Sequence, residues 1–371
     1  MHGNTLVFVG TYSEPIKQGT GEIVDGKGKG IYVYRFDRES GLLQLLSIAE
    51  GERNPSYMTL DQGKKYLYST NELKEFEGQA SGSLTACALN PETGALTVLN
   101  RKPTGGTDPC HVIVNDENTH VFVSNFMSGS VCVYPINPDG SLADASEFIQ
   151  HHGSSVHPDR QLGSHAHALI FDKANKTAFV PDLGMDQILI YKPDFCTGQL
   201  HRTEKDFVAT KAGAGPRHAV FDRSGNHLYL INELDSTLNV YRYNAAKQTL
   251  TEIQSLSTLP DGYKGKSSCS AIKISPDGCF LYGGNRGHNS IAIFKIDAED
   301  GKLSAVDFQS TGGAIPRDFD IDSTGNFLLA GNQDSDNVVV FKIDTCTGRI
   351  QEISRTEVPT PICVRIFDVN L

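Results

Sequence analysis

Pro216-Arg-His-Ala-Val-Phe-Asp-Arg-Ser-Gly-Asn-His-Leu-Tyr-Leu-Ile-Asn232 is the stretch whose reading decides the fold. It runs as a Pro-led strand, an Asp/Gly turn and an apolar strand that stops at Asn. The second strand returns as Lys65-Tyr-Leu-Tyr-Ser-Thr-Asn71, His120-Val-Phe-Val-Ser-Asn125, Phe280-Leu-Tyr-Gly-Gly-Asn285 and Phe327-Leu-Leu-Ala-Gly-Asn332. Thr177-Ala-Phe-Val-Pro-Asp182 ends in Asp instead, and Leu6-Val-Phe-Val-Gly-Thr11 in Thr. Successive termini lie 60, 54, 57, 50, 53 and 47 residues apart. A third run follows, as in Gly30-Ile-Tyr-Val-Tyr-Arg-Phe-Asp37 and Asn337-Val-Val-Val-Phe-Lys-Ile-Asp344.

Short runs rich in Val, Ile, Tyr and Phe between turn residues are strands. About four of them in a period near 50 residues make a β-propeller blade. Seven termini in 371 residues give 53 residues per blade (371/7). The chain therefore reads as all-β: one seven-bladed β-propeller domain over 1–371, with four-stranded antiparallel blades. The first blade has no Pro-led strand before Leu6, whereas Pro361-Ile-Cys-Val-Arg-Ile366 is left over at the far end. Pairing the two closes the ring and removes its open edges.

Composition narrows the function. The formal charge is −11 and no Lys/Arg run exceeds two residues. Nucleic acid, which needs a concentrated basic face, is thereby disfavoured as a partner. A small anion is not, because its binding depends on local cations. The opening Met1-His-Gly-Asn-Thr5 has no basic start, and no stretch of about 20 apolar residues occurs, so the expectation is a cytoplasmic protein without a membrane partner. Eight scattered cysteines without a C-x-x-C pair read as reduced structural thiols. Neither a metal nor a cofactor is expected, and the assembly is expected to be a monomer or weak homo-oligomer.

In a blade the first strand crosses the ring along the channel and the second returns. The start of the first strand and the residues just after the second therefore share one face. This brings Arg217 and Glu233 to the same channel mouth. Gly163-Ser-His165-Ala-His167 opens blade four at that level, and alternation points both imidazoles to one side. Arg286 after Asn285 and Arg317 after Pro316 join them. Arginines around a His and a Glu suit an oxyanion and acid–base chemistry. Alternation turns His218 away from Arg217 as a packing residue. Glu72 follows Asn71 as Glu233 follows Asn232, so an Asn-Glu pair alone says little. The loops Tyr12 to Lys29 and His151 to Gly163 decorate this face. Within the second, His151, His152 and His157 match no compact metal-ligand spacing and read as a solvated loop.

The chain resembles the propeller-type 6-phosphogluconolactonases over essentially its whole length. The resemblance is carried by Pro158-Asp-Arg160-Gln161, Gly163-Ser-His-Ala-His167, Val180-Pro-Asp-Leu183, Gly213-Ala-Gly-Pro-Arg-His218, Asn232-Glu233-Leu234 and Pro316-Arg317 with Asp320. It implies hydrolysis of a sugar-acid lactone, 6-phospho-D-glucono-1,5-lactone to 6-phosphogluconate in the pentose phosphate pathway, with an anionic sugar lactone as the small-molecule partner. His165, Arg217 and Glu233 would be catalytic, with Glu233 or His165 as base and Arg217 on the oxyanion. His167, Arg160, Arg286 and Arg317 would bind substrate. The related fungal carboxy-cis,cis-muconate lactonizing enzymes use a His, a Glu and two Arg, so a lactone-forming cycloisomerase is one alternative. A non-catalytic binding scaffold is the other. The second arginine is Arg286 or Arg317, and Asp182 departs from the Asn of other blades without an assigned role.

Overall fold

The computed structural model describes residues 4–369. Seven four-stranded antiparallel sheets follow one another around a ring. The first blade joins Pro361–Val369 to Asn4–Thr11, Gly30–Asp37 and Leu42–Glu50, so the strand pair expected to close the ring does so. Blades two and three begin at Pro55–Leu60 and Pro109–Val114. Blades five, six and seven begin at Pro216–Phe221, Ser268–Ile274 and Pro316–Ile321. Blade four is the exception. Its innermost strand shrinks to Ile170–Phe171, preceded by an isolated bridge between Ala166 and Asp182. Among the described residues the only helical element is the single 3-10 turn Gln333–Ser335.

Apolar residues on both faces of the middle strands fill the space between blades. Leu6, Phe8, Ile31 and Val33 of blade one pack on Met58, Leu67 and Cys87 of blade two, and similar clusters repeat around the ring. Each such fully buried side chain is worth roughly 1.5–3 kcal/mol. In four blades the terminal Asn of the second strand ties down the incoming connector. Asn71, Asn125, Asn285 and Asn332 donate through Nδ2 to the carbonyls of Arg53, Thr104, Thr258 and Thr311.

One recurring irregularity matters for the site. In six blades the pairing of the first two strands slips by a residue at the mouth, beside Ile362, Ser56, Cys110, Arg217, Ser270 and Arg317. Such β-bulges re-aim a side chain. They overturn the expectation that His218 faces away from Arg217. Arg217 is the unpaired extra residue, so both side chains turn to the channel, with Arg217 Nη1 3.3 Å from His218 Nδ1.

Candidate active site

Blade five shows how the local sequence builds the site. Asp186 accepts the Gly213 and Gly215 amides, each at 2.7 Å, which fixes the Gly-Ala-Gly-Pro turn. Gly215 has φ +69°, and a Cβ there would come within 2.5 Å of Leu234 Cγ. Only glycine fits both demands. The Glu233 amide then donates to the Gly215 carbonyl at 2.7 Å, placing Glu233 beside the bulged Arg217. Arg217 Nε donates to Glu233 Oε2 at 3.0 Å, and its Nη1 donates to the Ser270 carbonyl at 2.6 Å.

Two more guanidiniums converge on the same carboxylate. Gln161 is fully buried and donates to the Leu183 carbonyl, anchoring the Pro158-Asp-Arg-Gln161 turn. From that turn Arg160 Nη2 reaches Glu233 Oε1 at 2.6 Å. Arg286 Nη2 lies 2.8 Å from Glu233 Oε2 and donates to the Cys269 carbonyl at 2.7 Å. Arg317 stands across the cavity instead, over the Tyr12 ring at 5.4 Å and 3.8 Å from Glu72 Oε1. Arg286 therefore contacts Glu233, whereas Arg317 lies beside Glu72.

Burial pushes the Glu233 carboxyl up, but Arg286, Arg160 and Arg217 together outweigh that and hold it well below its ordinary range. Burial pulls the Arg286 guanidinium down to about 10, still charged at neutral pH. His167 is driven well below its ordinary value by burial and then by Arg217, so it is neutral. Its Nε2 is 3.9 Å from Glu233 Oε2 and its Nδ1 is 3.6 Å from Cys110 Sγ.

The two blade-four histidines are not equivalent. His167 lines the cavity. His165 stands behind it, stacked on Phe126 at 4.7 Å with Nδ1 donating to the Phe126 carbonyl at 2.9 Å. Asp182 has a structural task. It accepts the His165 and Gly184 amides and pairs with His151 Nδ1 at 2.9 Å, while Tyr191 meets His151 Nε2 at 3.0 Å. His151 is accordingly buried, which corrects the expectation that it is part of a solvated loop. A carboxylate suits this position because it faces three backbone amides, of His165, Gly184 and Met185, and an imidazole.

Glu72, which the sequence pattern alone discounts, Cys110 and Phe126, which it does not single out, and the Gln18-Gly19-Thr20 tip of the Tyr12–Lys29 loop also line the cavity. The first three were findable. They occupy either the position after the leading Pro of a first strand or the position after the terminal residue of a second. Aligning the seven repeats on those two positions yields two rings of residues at the mouth. The tip belongs to a small hairpin, Ile16–Lys17 with Ile23–Val24, that folds over the opening. A Cβ at Gly19 would meet Phe126 Cε1 at 2.8 Å. On the inner side, Tyr57, His111, His167 and His218 pack ring on ring at 4.5–5.8 Å and stop the channel. The site therefore opens at one end.

Four arginines against two glutamates leave this mouth cationic in a chain of net charge −11. The molecule is thus a seven-bladed β-propeller whose cation-rich pocket also carries carboxylate and imidazole groups. The chain belongs to the lactonase family of seven-bladed β-propellers, whose sequence model matches residues 6–366. It is 35% identical over 359 residues to the 6-phosphogluconolactonase of Bacillus subtilis, covering 96% of this chain and 97% of that protein. The Formosa agariphila 6-phosphogluconolactonase is also 35% identical, over 81% of this chain and 85% of its own. Among solved structures, the periplasmic gluconolactonase of Pseudomonas aeruginosa superposes with a TM-score of 0.90 at 32% identity, covering 99% of both chains.

Proposed function

We propose that this protein hydrolyses a sugar-acid lactone, 6-phospho-D-glucono-1,5-lactone to 6-phosphogluconate, as a step of the pentose phosphate pathway. The observation that carries the reading is the excess of arginine over carboxylate in one buried pocket. Phosphate and carboxylate oxygens take bidentate arginine pairs, and the buried Arg286 Nε–H has no partner among the described residues. Arg286, Arg160 and Arg317 hold the anionic end of the substrate. Arg217, fixed by Glu233 and the Ser270 carbonyl, faces the lactone carbonyl and stabilises the oxyanion of the tetrahedral intermediate. Glu233, with both oxygens occupied by guanidiniums, keeps those cations in register. Neutral His167 offers hydrogen bonds to substrate hydroxyls, and His165 positions Phe126. A phosphorylated sugar does not cross membranes unaided, so this substrate places the reaction in the cytoplasm.

Feeding the purified protein the phosphorylated lactone, the unphosphorylated lactone and carboxymuconate tests the reading. The phosphorylated lactone should give the highest kcat/KM, and R217A should lower it by about 10²–10³. Turnover of carboxymuconate alone would replace the hydrolase with a cycloisomerase. An R217A variant as active as the parent would remove Arg217 from the mechanism.

A further inference from the structure

We propose that Glu72 is the proton-transfer residue of this pocket, an assignment that rests on the lactone-hydrolysis reading above. Hydrolysis requires a group that takes a proton from the attacking water and then supplies one to the ring oxygen. That group needs a free lone pair facing the substrate. Glu233 is the poorer candidate: Arg160 holds Oε1, and Arg217 and Arg286 hold Oε2, so three cations face its carboxylate and make it a weak base. The Cys110 thiol is pushed up by burial and stays protonated. His167 and His218 are weak bases, held down by burial and by Arg217.

Glu72 is placed differently. It is 7% exposed and lines the cavity on both the hairpin side and the channel side. Its Oε2 accepts from the Tyr12 hydroxyl at 3.0 Å. Burial lifts the Tyr12 phenol well above its ordinary value, so Tyr12 remains a donor that orients the carboxylate. The nearest guanidinium to Oε1, Arg317 Nη2, is 3.8 Å away, beyond hydrogen-bond distance. One oxygen is thus anchored and the other is open to a ligand. Blade two stands three blades from blade five in a ring of seven, so Glu72 faces Arg217 from the opposite side of the mouth. A lactone carbonyl held at Arg217 has Glu72 across from it.

The proton balance closes with this one carboxylate. Water forms the new C–O bond as its proton passes to Glu72 Oε1, leaving the oxyanion at Arg217. On collapse the carbonyl re-forms, the ring C–O bond breaks, and Glu72 returns the proton to the departing ring oxygen. The product acid then ionises to solvent.

The test is steady-state hydrolysis of 6-phosphogluconolactone by wild type, E72Q and E72A, with 6-phosphogluconate affinity and melting temperature measured alongside. E72Q should lose about 10²–10⁴ in kcat, with KM and product affinity within a few-fold of wild type. Formate should restore part of the activity of E72A, a rescue that a merely structural glutamate does not permit. An E72Q enzyme within tenfold of wild type, or a folded E72A that formate cannot rescue, overturns the assignment. Absence of lactonase activity in the wild type is a different outcome and sinks the underlying reading instead.

Discussion

Blades two and five share one template: a Pro-led strand, a bulge at its second residue, a turn, and a return strand ending in Asn-Glu. They differ in what surrounds the final glutamate. In blade five the bulge residue is Arg217, and two further arginines arrive from the loop before blade four and from blade six. In blade two the bulge residue is Ser56, whose hydroxyl donates to the Pro109 carbonyl, and Glu72 is left with a phenol. One carboxylate is thereby tied into an ionic cluster and the other keeps a reactive oxygen. The repeat supplies position, and the neighbours decide chemistry.

This contrast predicts opposite signatures for the same substitution. E233Q leaves three buried guanidiniums without their counter-charge and should cost about 3–5 kcal/mol of stability, read by denaturant unfolding. E72Q keeps an acceptor for Tyr12 and should cost about 1 kcal/mol, its loss appearing in kcat. If E233Q unfolds no more easily than E72Q, the division of labour is wrong.

A smaller effect separates the two histidines. H167A removes a cavity-lining group and should lower kcat/KM about tenfold or more. H165A acts only through Phe126 and should do less. The reverse order, measured in the same assay, would return the catalytic imidazole to His165.

The smallest effect concerns pH. His167 and His218 are held well below 6.5 by burial and Arg217, and His111 sits at about 3, burial being the main cause. Below pH 6.5 the unfolded chain protonates these rings while the folded protein does not. Stability must therefore fall with pH, each ring contributing about 1.4 kcal/mol per pH unit. Glu233, also depressed, adds to the loss below pH 4.5. H218Q should flatten the slope of unfolding free energy between pH 6 and 4.5 by one ring's share, whereas an unchanged slope would contradict the assigned charge state.

How much of this was legible in the chain divides along the same line. The seven repeats, the closing strand and the shared mouth of Arg217 and Glu233 follow from pattern and strand direction alone. Glu72 did not stand out, because its partners Tyr12 and Arg317 come from blades one and seven, and nothing near Asn71 announces them. His218 was misdirected by strict alternation, since a bulge adds a residue without altering the apolar pattern around it. The shortened inner strand of blade four was hidden as well: pairing at the mouth is reduced to one bridge, in which the His167 amide donates to the Pro181 carbonyl and the Leu183 amide to the His165 carbonyl.

Blades two, five, six and seven and the loop before blade four bring Glu72, Arg217, Glu233, Arg286, Arg317 and Arg160 to one mouth of the channel, the site assigned to a sugar-acid anion. A crystal structure with 6-phosphogluconate bound tests it most directly. The account predicts the ligand beneath the Gln18–Thr20 tip, with its anionic oxygens about 3 Å from Arg217, Arg286 and Arg317. Ligand density on the other side of the Tyr57, His111 and His218 rings, in the cavity that Lys273 and Arg365 line, would contradict it.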